Sequence, residues 1–544
     1  MVDNSFLPEE ARNRLLRRVD WRFLLPSPQP RKSICFANGL LSRAVKLISE
    51  QVVDHTVDLF GDCDLAVATN PKRTTLEKAW NALRPGGFCY IECYSPLTGG
   101  SQRIRRRMAA TGFEGVTCYW AWPWPCFSSP RSWLLLGESG ASRHFLLSRP
   151  LARGIVRRFT HSALQLLWRA SLLLDLTVPI CAVAYKPPLR APYSSRTDSH
   201  VRSSGGSSGD AATSRQLLER IRAHWSGWGF GPTPGRLSSL ILTGGHRSIG
   251  KVVWLVFAEP DHHPRIAVKL PRVPESIPGL KREATTLRYL QTLNSHGISG
   301  IPRVLFCEEH SGLLTVGETA LVGQPLARLL TPESFRSLSM KVTAWLADLA
   351  GQRVSDSPVR SWNRLVQPVL DDFTKSFGRV VDPGMLRETE NVLMSLGALP
   401  AVCEQRDFGP WNVLLTAAGE LAVLDWESSE PQGLPAMDLI YFLSFSALSL
   451  HGGIDPALIR ARYRDTLNPS TPTGGVVREC VERYAAATGL DPAQLRGLRL
   501  LCWLLHSRSE YGWFIADFAK KPEPENLRRS IFLSFWEQEI RHGA

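Results

Sequence analysis

The chain has 544 residues, and because a single core rarely grows past about 250–300, more than one domain is expected. With 44% hydrophobic and 21% charged residues, disorder throughout is excluded. The net charge of +14 is lopsided: residues 1–210 hold 28 Lys and Arg against 16 Asp and Glu, the remainder 36 against 34. Eleven scattered cysteines without a CxxC pair suit reduced, cytosolic thiols and exclude both a disulfide frame and a zinc-type spacing.

The basic excess includes RIRRR at 103–107. A solvated helix face accounts for such a run; attraction to an anionic glycan or lipid surface is the sharper reading. Neither an RNP-type nor a helix-turn-helix signature occurs, so no nucleic acid is expected as a partner. The opening MVDNSFLPEEARNRLLRRVD carries acids and has no continuous apolar stretch, unlike a signal peptide. The most apolar run, residues 163–184, contains Arg169, Asp175 and Pro179 and makes a poor membrane span. A buried or amphipathic helix followed by a strand is expected there, in a cytoplasmic chain whose only membrane contact would be peripheral.

In chain order, DLAVATN (64–70) reads as a short strand. Leu76, Ala79, Trp80 and Leu83 then share one helical face, stopped by Pro85-Gly86-Gly87, and FCYIECY has the composition of a buried strand. With GFEGVTCYWAWPWP (112–125) and CAVAYKP (181–187) as later strands, this pattern resembles the C-terminal part of class I S-adenosylmethionine-dependent methyltransferases over residues 30–187. The resemblance implies an α/β, Rossmann-like domain at 1–190. That family holds its cofactor on a Gly-rich turn after the first strand, where missing side chains let the backbone approach the ligand. The matching stretch here, SICFANGLLSRAVKL, has Gly39 alone, and Asp54 and Asp58 are weak candidates for the ribose. A degenerate scaffold with a binding role is the expectation, with S-adenosylmethionine kept as a candidate ligand.

Residues 191–214 are rich in Ser and Gly and poor in large apolar side chains, the composition of a flexible linker. Beyond it, at 215–544, QLLERIRAHWSG (216–227) reads as a helix and the next stretch as strand, glycine turn, strand, loop, strand. Gly244, Gly245 and Gly250 bracket a turn, Ser248 within it, whose backbone N–H groups could lie over phosphates. The third strand, IAVKLPR, places Ala267 and Lys269 on one face and Ile266, Val268 and Leu270 on the other. Glu283, on the following helix, can pair with Lys269 and orient its ammonium toward nucleotide phosphates. An apolar strand at 313–316 then leads to a polar connection around Glu318, where 318–321 is expected as a hinge meeting adenine.

The densest chemistry is EQRDFGPWNVLL (404–415), followed by DWE from Asp425. NVLL and LAVLD are expected as a hairpin turning at Gly419, with Val413 opposite Leu424 and Leu415 opposite Ala422. Asn412 and Asp425 would then face each other at the open end, two oxygen ligands for Mg²⁺. Asp407, five residues before Asn412, could accept the proton of an attacking hydroxyl. Gly turn, strand Lys, helix Glu, D-x4-N and the DWE hairpin, in this order, resemble the aminoglycoside phosphotransferase/choline kinase family over residues 235–515.

The resemblance implies an α+β bilobal protein-kinase-like domain, with a small lobe at about 215–320 and a large lobe at about 321–544. It makes Asp407 the catalytic base, Asn412 and Asp425 the metal ligands, and Lys269 the ATP-phosphate lysine held by Glu283. Asp438, in GLPAMDLIYFL, would buttress the catalytic loop. The family writes His-Gly-Asp where this chain has Gln405-Arg406-Asp407, and the missing His is read as a packing position. The reaction implied is transfer of the ATP γ-phosphoryl group to a small-molecule hydroxyl acceptor such as a sugar, an aminoglycoside or a choline-like alcohol. Aromatic-rich helices after residue 455 would line the acceptor's pocket. Two rivals stand beside it: a pseudokinase scaffold that binds nucleotide without turnover, and an active methyltransferase with a regulatory kinase-like domain.

Overall fold

A computed structural model of the chain describes residues 9–53, 61–94, 100–126, 128–148, 180–188, 213–244, 250–293, 299–351, 362–450, 458–518 and 522–542. Asp54, Asp58, Gly245, Ser248, most of the apolar run at 163–184 and all but the end of the expected linker lie outside them. Chain contacts divide into two compact units, Met1–Ser276 with Leu305–Ala320, and Ile277–Val304 with Leu321–Ala544.

The first unit is organised by strands β1 (Lys32–Cys35), β2 (Gln51–Val53), β3 (Cys63–Thr69), β4 (Leu83–Cys93), β5 (Glu114–Trp122), β6 (Ser132–Leu135), β7 (Ile180–Tyr185), β8 (Leu237–Leu242), β9 (Lys251–Ala258), β10 (Ile266–Pro271), β11 (Val304–His310) and β12 (Leu313–Thr319). They form one twelve-stranded sheet in the order β11-β12-β10-β9-β8-β6-β5-β7-β4-β3-β1-β2. β2, β1, β3 and β4 run parallel, and their near-continuous apolar composition suits strands covered on both faces. From β4 the pairing turns antiparallel through β7, β5, β6, β8, β9, β10 and β12.

The strands read as two separate modules in the sequence therefore share one ladder. Its junction is β6 against β8, with Ser132 opposite Leu242, Trp133 opposite Ile241 and Leu134 opposite Leu240. One face carries a continuous apolar layer running from Leu65 and Tyr90 through Trp133 to Trp254 and Val268. It is covered by side chains from helices α1 (Glu9–Arg18) and α2 (Gly39–Ile48), from the 3₁₀ turn Asp20–Leu24, and from the helix Thr213–His224. The opposite face packs against Arg73–Ala82 and Ser101–Ala110. The expected helix over 76–83 ends at Ala82; Leu83 already pairs with Cys63, and Pro85-Gly86-Gly87 falls at a register shift inside β4.

The second unit is mostly helical. Its core joins Ile277–Leu293, Pro332–Gly351, Gln367–Phe377, Met437–Ser449 and Leu495–Phe518 around two small sheets. These contain β13 (Gln324–Pro325), β14 (Val402–Glu404), β15 (Val413–Leu415), β16 (Leu421–Val423) and β17 (Glu430–Gly433), ordered β13-β15-β16 and β14-β17. Among the described residues, no helix is long and apolar enough to cross a membrane.

Candidate active site

The β15–β16 hairpin forms as expected but one residue out of the expected register. Val413 faces Val423, Leu414 faces Ala422 and Leu415 faces Leu421. The cause is the turn: Thr416 N–H donates to Glu420 O at 2.9 Å, Gly419 N–H to Thr416 O at 3.0 Å, and Gly419 sits at φ +77°. A three-residue loop closed by a left-handed glycine replaces an even-numbered one and shifts every pair by one. Asn412 consequently lies opposite Leu424, whose N–H donates to Asn412 O at 2.9 Å, and Asp425 begins just beyond the ladder with φ +60°.

Three polar side chains fix the loop that precedes this hairpin. The Asp438 carboxylate accepts the N–H of Gln405 at 2.6 Å and that of Arg406 at 2.9 Å. Burial, with the Glu404 carboxylate adding to it, pushes the Asp438 carboxyl up to about 7. Glu404, also buried, takes the Arg406 guanidinium and the Leu434 N–H. Gln405 is fully buried and uses both ends of its amide. Its Oε1 accepts the Asp407 N–H at 2.8 Å, and its Nε2 donates to Leu424 O at 2.8 Å and to Asp425 O at 2.5 Å. The position read as packing is thus the clasp between the Asp407 loop and the Asp425 turn. A buried residue that must both donate and accept, without charge, is a role that an amide fills.

Asn412 Nδ2 donates to Asp407 Oδ2 at 2.8 Å and to Asp407 O at 2.9 Å. Asp407, Asn412 and Asp425 are therefore gathered by one continuous set of hydrogen bonds. Glu283 joins it from the helix Ile277–Leu293: its Oε1 accepts the N–H of Trp426 at 2.9 Å, fixing the backbone directly after Asp425. Trp426 is itself anchored by its indole N–H on Val423 O at 3.1 Å. Between Asp407 and Asn412, the Trp411 ring lies against the loop so closely that a Cβ on Gly409 would meet it at 2.3 Å.

The remaining expected residues belong to the first unit. Lys269 and Glu318, both buried on the same face of adjacent strands, form an ion pair. Glu318, expected at a polar hinge, thus stands beside the strand lysine, a partnership that the cross-strand register makes and sequence spacing does not reveal. Gly244 follows β8, where its carbonyl accepts from Arg272 at 3.4 Å. At the end of β4, Glu92 is fully buried and accepts from Arg18, Tyr90 and Tyr94. In the RIRRR helix, Arg103, Arg105 and Arg106 are exposed.

No protein-family model matches the sequence, and no curated protein matches it. Among solved structures, it is similar to a thermostable mutant of aminoglycoside phosphotransferase APH(4)-Ia in ternary complex with ADP and hygromycin B, at 15% identity, covering 61% of this chain and 98% of that one, with a TM-score of 0.38. ADP-bound aminoglycoside phosphotransferase APH(2'')-Ib matches at 15% identity over 59% of this chain and 98% of its own, with a TM-score of 0.35. A choline/ethanolamine kinase family protein from Mesorhizobium loti matches at 18% identity over 53% and 99%, with a TM-score of 0.29.

Proposed function

We propose that the chain is an ATP-dependent phosphotransferase that moves the γ-phosphoryl group to a hydroxyl of a small molecule, in an α+β, bilobal protein-kinase-like domain. The observation that carries this reading is the orientation of Asn412. Its NH₂ group donates twice to Asp407, which leaves the amide oxygen as the ligand atom, while its backbone pairs with the residue before Asp425. An amide oxygen and a carboxylate are hard donors of the kind Mg²⁺ takes. Asn412 and Asp425 would hold the ion, which when bound supplies charge neutralisation at the nucleotide phosphates.

In this reading Asp407 accepts the proton of the attacking hydroxyl as its oxygen bonds to phosphorus. The bond from phosphorus to the β–γ bridging oxygen breaks, and ADP leaves. Lys269, held by Glu318, offsets phosphate charge; Gly244, Gly245 and Ser248 would cover the phosphates, and 318–321 would meet adenine. Glu283 acts on the Asp425 turn through Trp426.

The β2–β1–β3–β4 run supports reading the N-terminal strands as a Rossmann-like, methyltransferase-type scaffold. Ligands of such sheets bind at the carboxyl ends of the strands. There the residues do not fit S-adenosylmethionine: Gly39 is the only glycine of the turn after β1, and the Glu92 carboxylate is buried against Arg18 and two tyrosines. The exposed arginines of Ser101–Ala110 suit an anionic glycan or lipid surface as partner.

The test is ADP release with Mg²⁺-ATP, with and without a pool of small hydroxyl acceptors, beside Asp407→Asn. Acceptor-stimulated release lost in the variant supports the phosphotransferase. Nucleotide binding without turnover under every acceptor would replace it with a nucleotide-binding scaffold.

A further inference from the structure

The connection from β9 to β10 reads EPDHHPR at 259–265, and phosphoryl transfer uses none of it. Asp261 and His262 are half-buried and His263 is exposed, and one ligand-capable atom of each lies within 4.8 Å of the other two. The two imidazole rings sit side by side, with centroids 4.2 Å apart and planes at 39°. Neighbouring side chains on a strand point to opposite faces, so two adjacent rings meet only where the chain leaves the extended path. Asp261 makes that turn: its Oδ1 accepts the N–H of His263 at 3.0 Å, and its own N–H donates to Ala258 O at 2.8 Å. Pro264, buried, then fixes the backbone that leads into β10.

A second segment holds this turn from outside. At the start of the helix Ser139–Ser148, the Gly140 N–H donates to Glu259 Oε1 at 2.8 Å, and a Cβ on Gly140 would meet Asp261 O at 2.2 Å. One turn further along, His144 Nδ1 lies 3.1 Å from His262 O. A carbonyl only accepts, so that nitrogen carries the proton. The backbone of Asp261 and His262 is thus set by a helix 118 residues upstream, and the three side chains are gathered without any ion to gather them. Arg143, exposed on the same helix, puts a positive charge near His262 and works against a cation; the Asp261 carboxylate offsets it.

We propose that Asp261, His262 and His263 bind a divalent transition-metal ion of the Zn²⁺ class. Two imidazole nitrogens and one carboxylate oxygen are a donor set such an ion takes, whereas Mg²⁺ and Ca²⁺ take oxygens. Ligand atoms around a tetrahedral Zn²⁺ stand about 3.3 Å apart. Atoms already within 4.8 Å of one another reach that spacing by side-chain rotation, with the backbone left where the helix holds it. Three protein ligands leave the fourth position to water. The site contains no cysteine, so cysteine spacing could not disclose it, and it stands whether or not the chain transfers phosphoryl groups.

The test is calorimetric titration of Zn²⁺ into the untagged full chain, stripped beforehand with a chelator. Wild type is compared with His262→Gln, His263→Gln and Asp261→Asn, and with His542→Gln as an exposed histidine elsewhere. Wild type is expected to bind one equivalent; His262→Gln and His263→Gln should weaken it on the order of a hundredfold and Asp261→Asn about tenfold. His542→Gln should change nothing. Zn²⁺ should also raise the unfolding midpoint of wild type and leave that of the two histidine variants unmoved. His263 is exposed, so His263→Gln decides the question even if His262→Gln fails to fold. No Zn²⁺ binding by wild type, or equal affinity in folded His263→Gln and Asp261→Asn, overturns the proposal.

Discussion

Two buried carboxylates, Glu92 in the first unit and Asp438 in the second, have opposite surroundings. Glu92 is closed on by side chains: the two terminal nitrogens of the Arg18 guanidinium and the hydroxyls of Tyr90 and Tyr94. Asp438 accepts from two backbone N–H groups, and Gln405 likewise bonds only to backbone. Side chains that hold backbone fix how the neighbouring groups are aimed, as the Asp407 loop shows. Side chains that hold each other finish the chemistry among themselves. On that difference the Asp407 loop suits the proposed site and the Glu92 cluster a strut.

Asp407→Asn should break the comparison most sharply, with turnover falling about 10³-fold and the unfolding midpoint nearly unchanged. Glu92→Gln should do the reverse. It strands a buried arginine and is expected to cost about 3–5 kcal/mol in denaturant unfolding, while turnover per folded molecule survives. Gln405→Leu removes the clasp but not the chemical groups; turnover should drop roughly 10²-fold through misplacement, and Gln405→His, which retains a donor and an acceptor, should recover part of it.

The smallest effect is in pH. His506, stacked on Tyr441 at 4.1 Å, is driven down to about 3 by burial, with the Arg406 charge adding to this. Its unfolded form takes a proton below about 6.5, so its contribution to stability is lost as pH falls from there toward 3. Asp438 works the other way: folded it stays protonated up to about 7, unfolded it ionises near 4, so its contribution is lost as pH rises between them. The two slopes oppose over pH 4–6.5. His506→Phe should therefore uncover a stability that falls with rising pH, by at most about 1.4 kcal/mol per unit, in urea midpoints across that range.

How much of this was legible in the sequence depended on distance along the chain. D-x4-N and the following hairpin are local, and they form with a one-residue slip caused by the turn at Gly419. Asp438 under the loop followed from the motif, and its two hydrogen bonds are present. Gln405 was visible only as a departure, because nothing in a sequence says that one amide will meet carbonyls at both 424 and 425. Glu318 beside Lys269, and Arg22 on Arg272, depend on strand pairings and packing between distant segments. The join of β6 to β8 was the least legible, since four residues, SWLL, carry no mark of the partner they choose.

That join has a practical consequence for anyone dividing the protein. A cut within residues 191–212 of the expected linker would look safe from composition, yet separating the pieces would strip β6 from β8 and leave the edge of β8 along Leu240–Leu242 unpaired, with β9 still on its other side. It would also bare part of the apolar layer that Trp254, Val256 and Val268 share with Trp21 and Trp133. An open strand edge beside an uncovered apolar face is a template for joining other chains. Either fragment alone is thus expected to aggregate on expression, and co-expression of the two pieces is the arrangement that should keep them in solution.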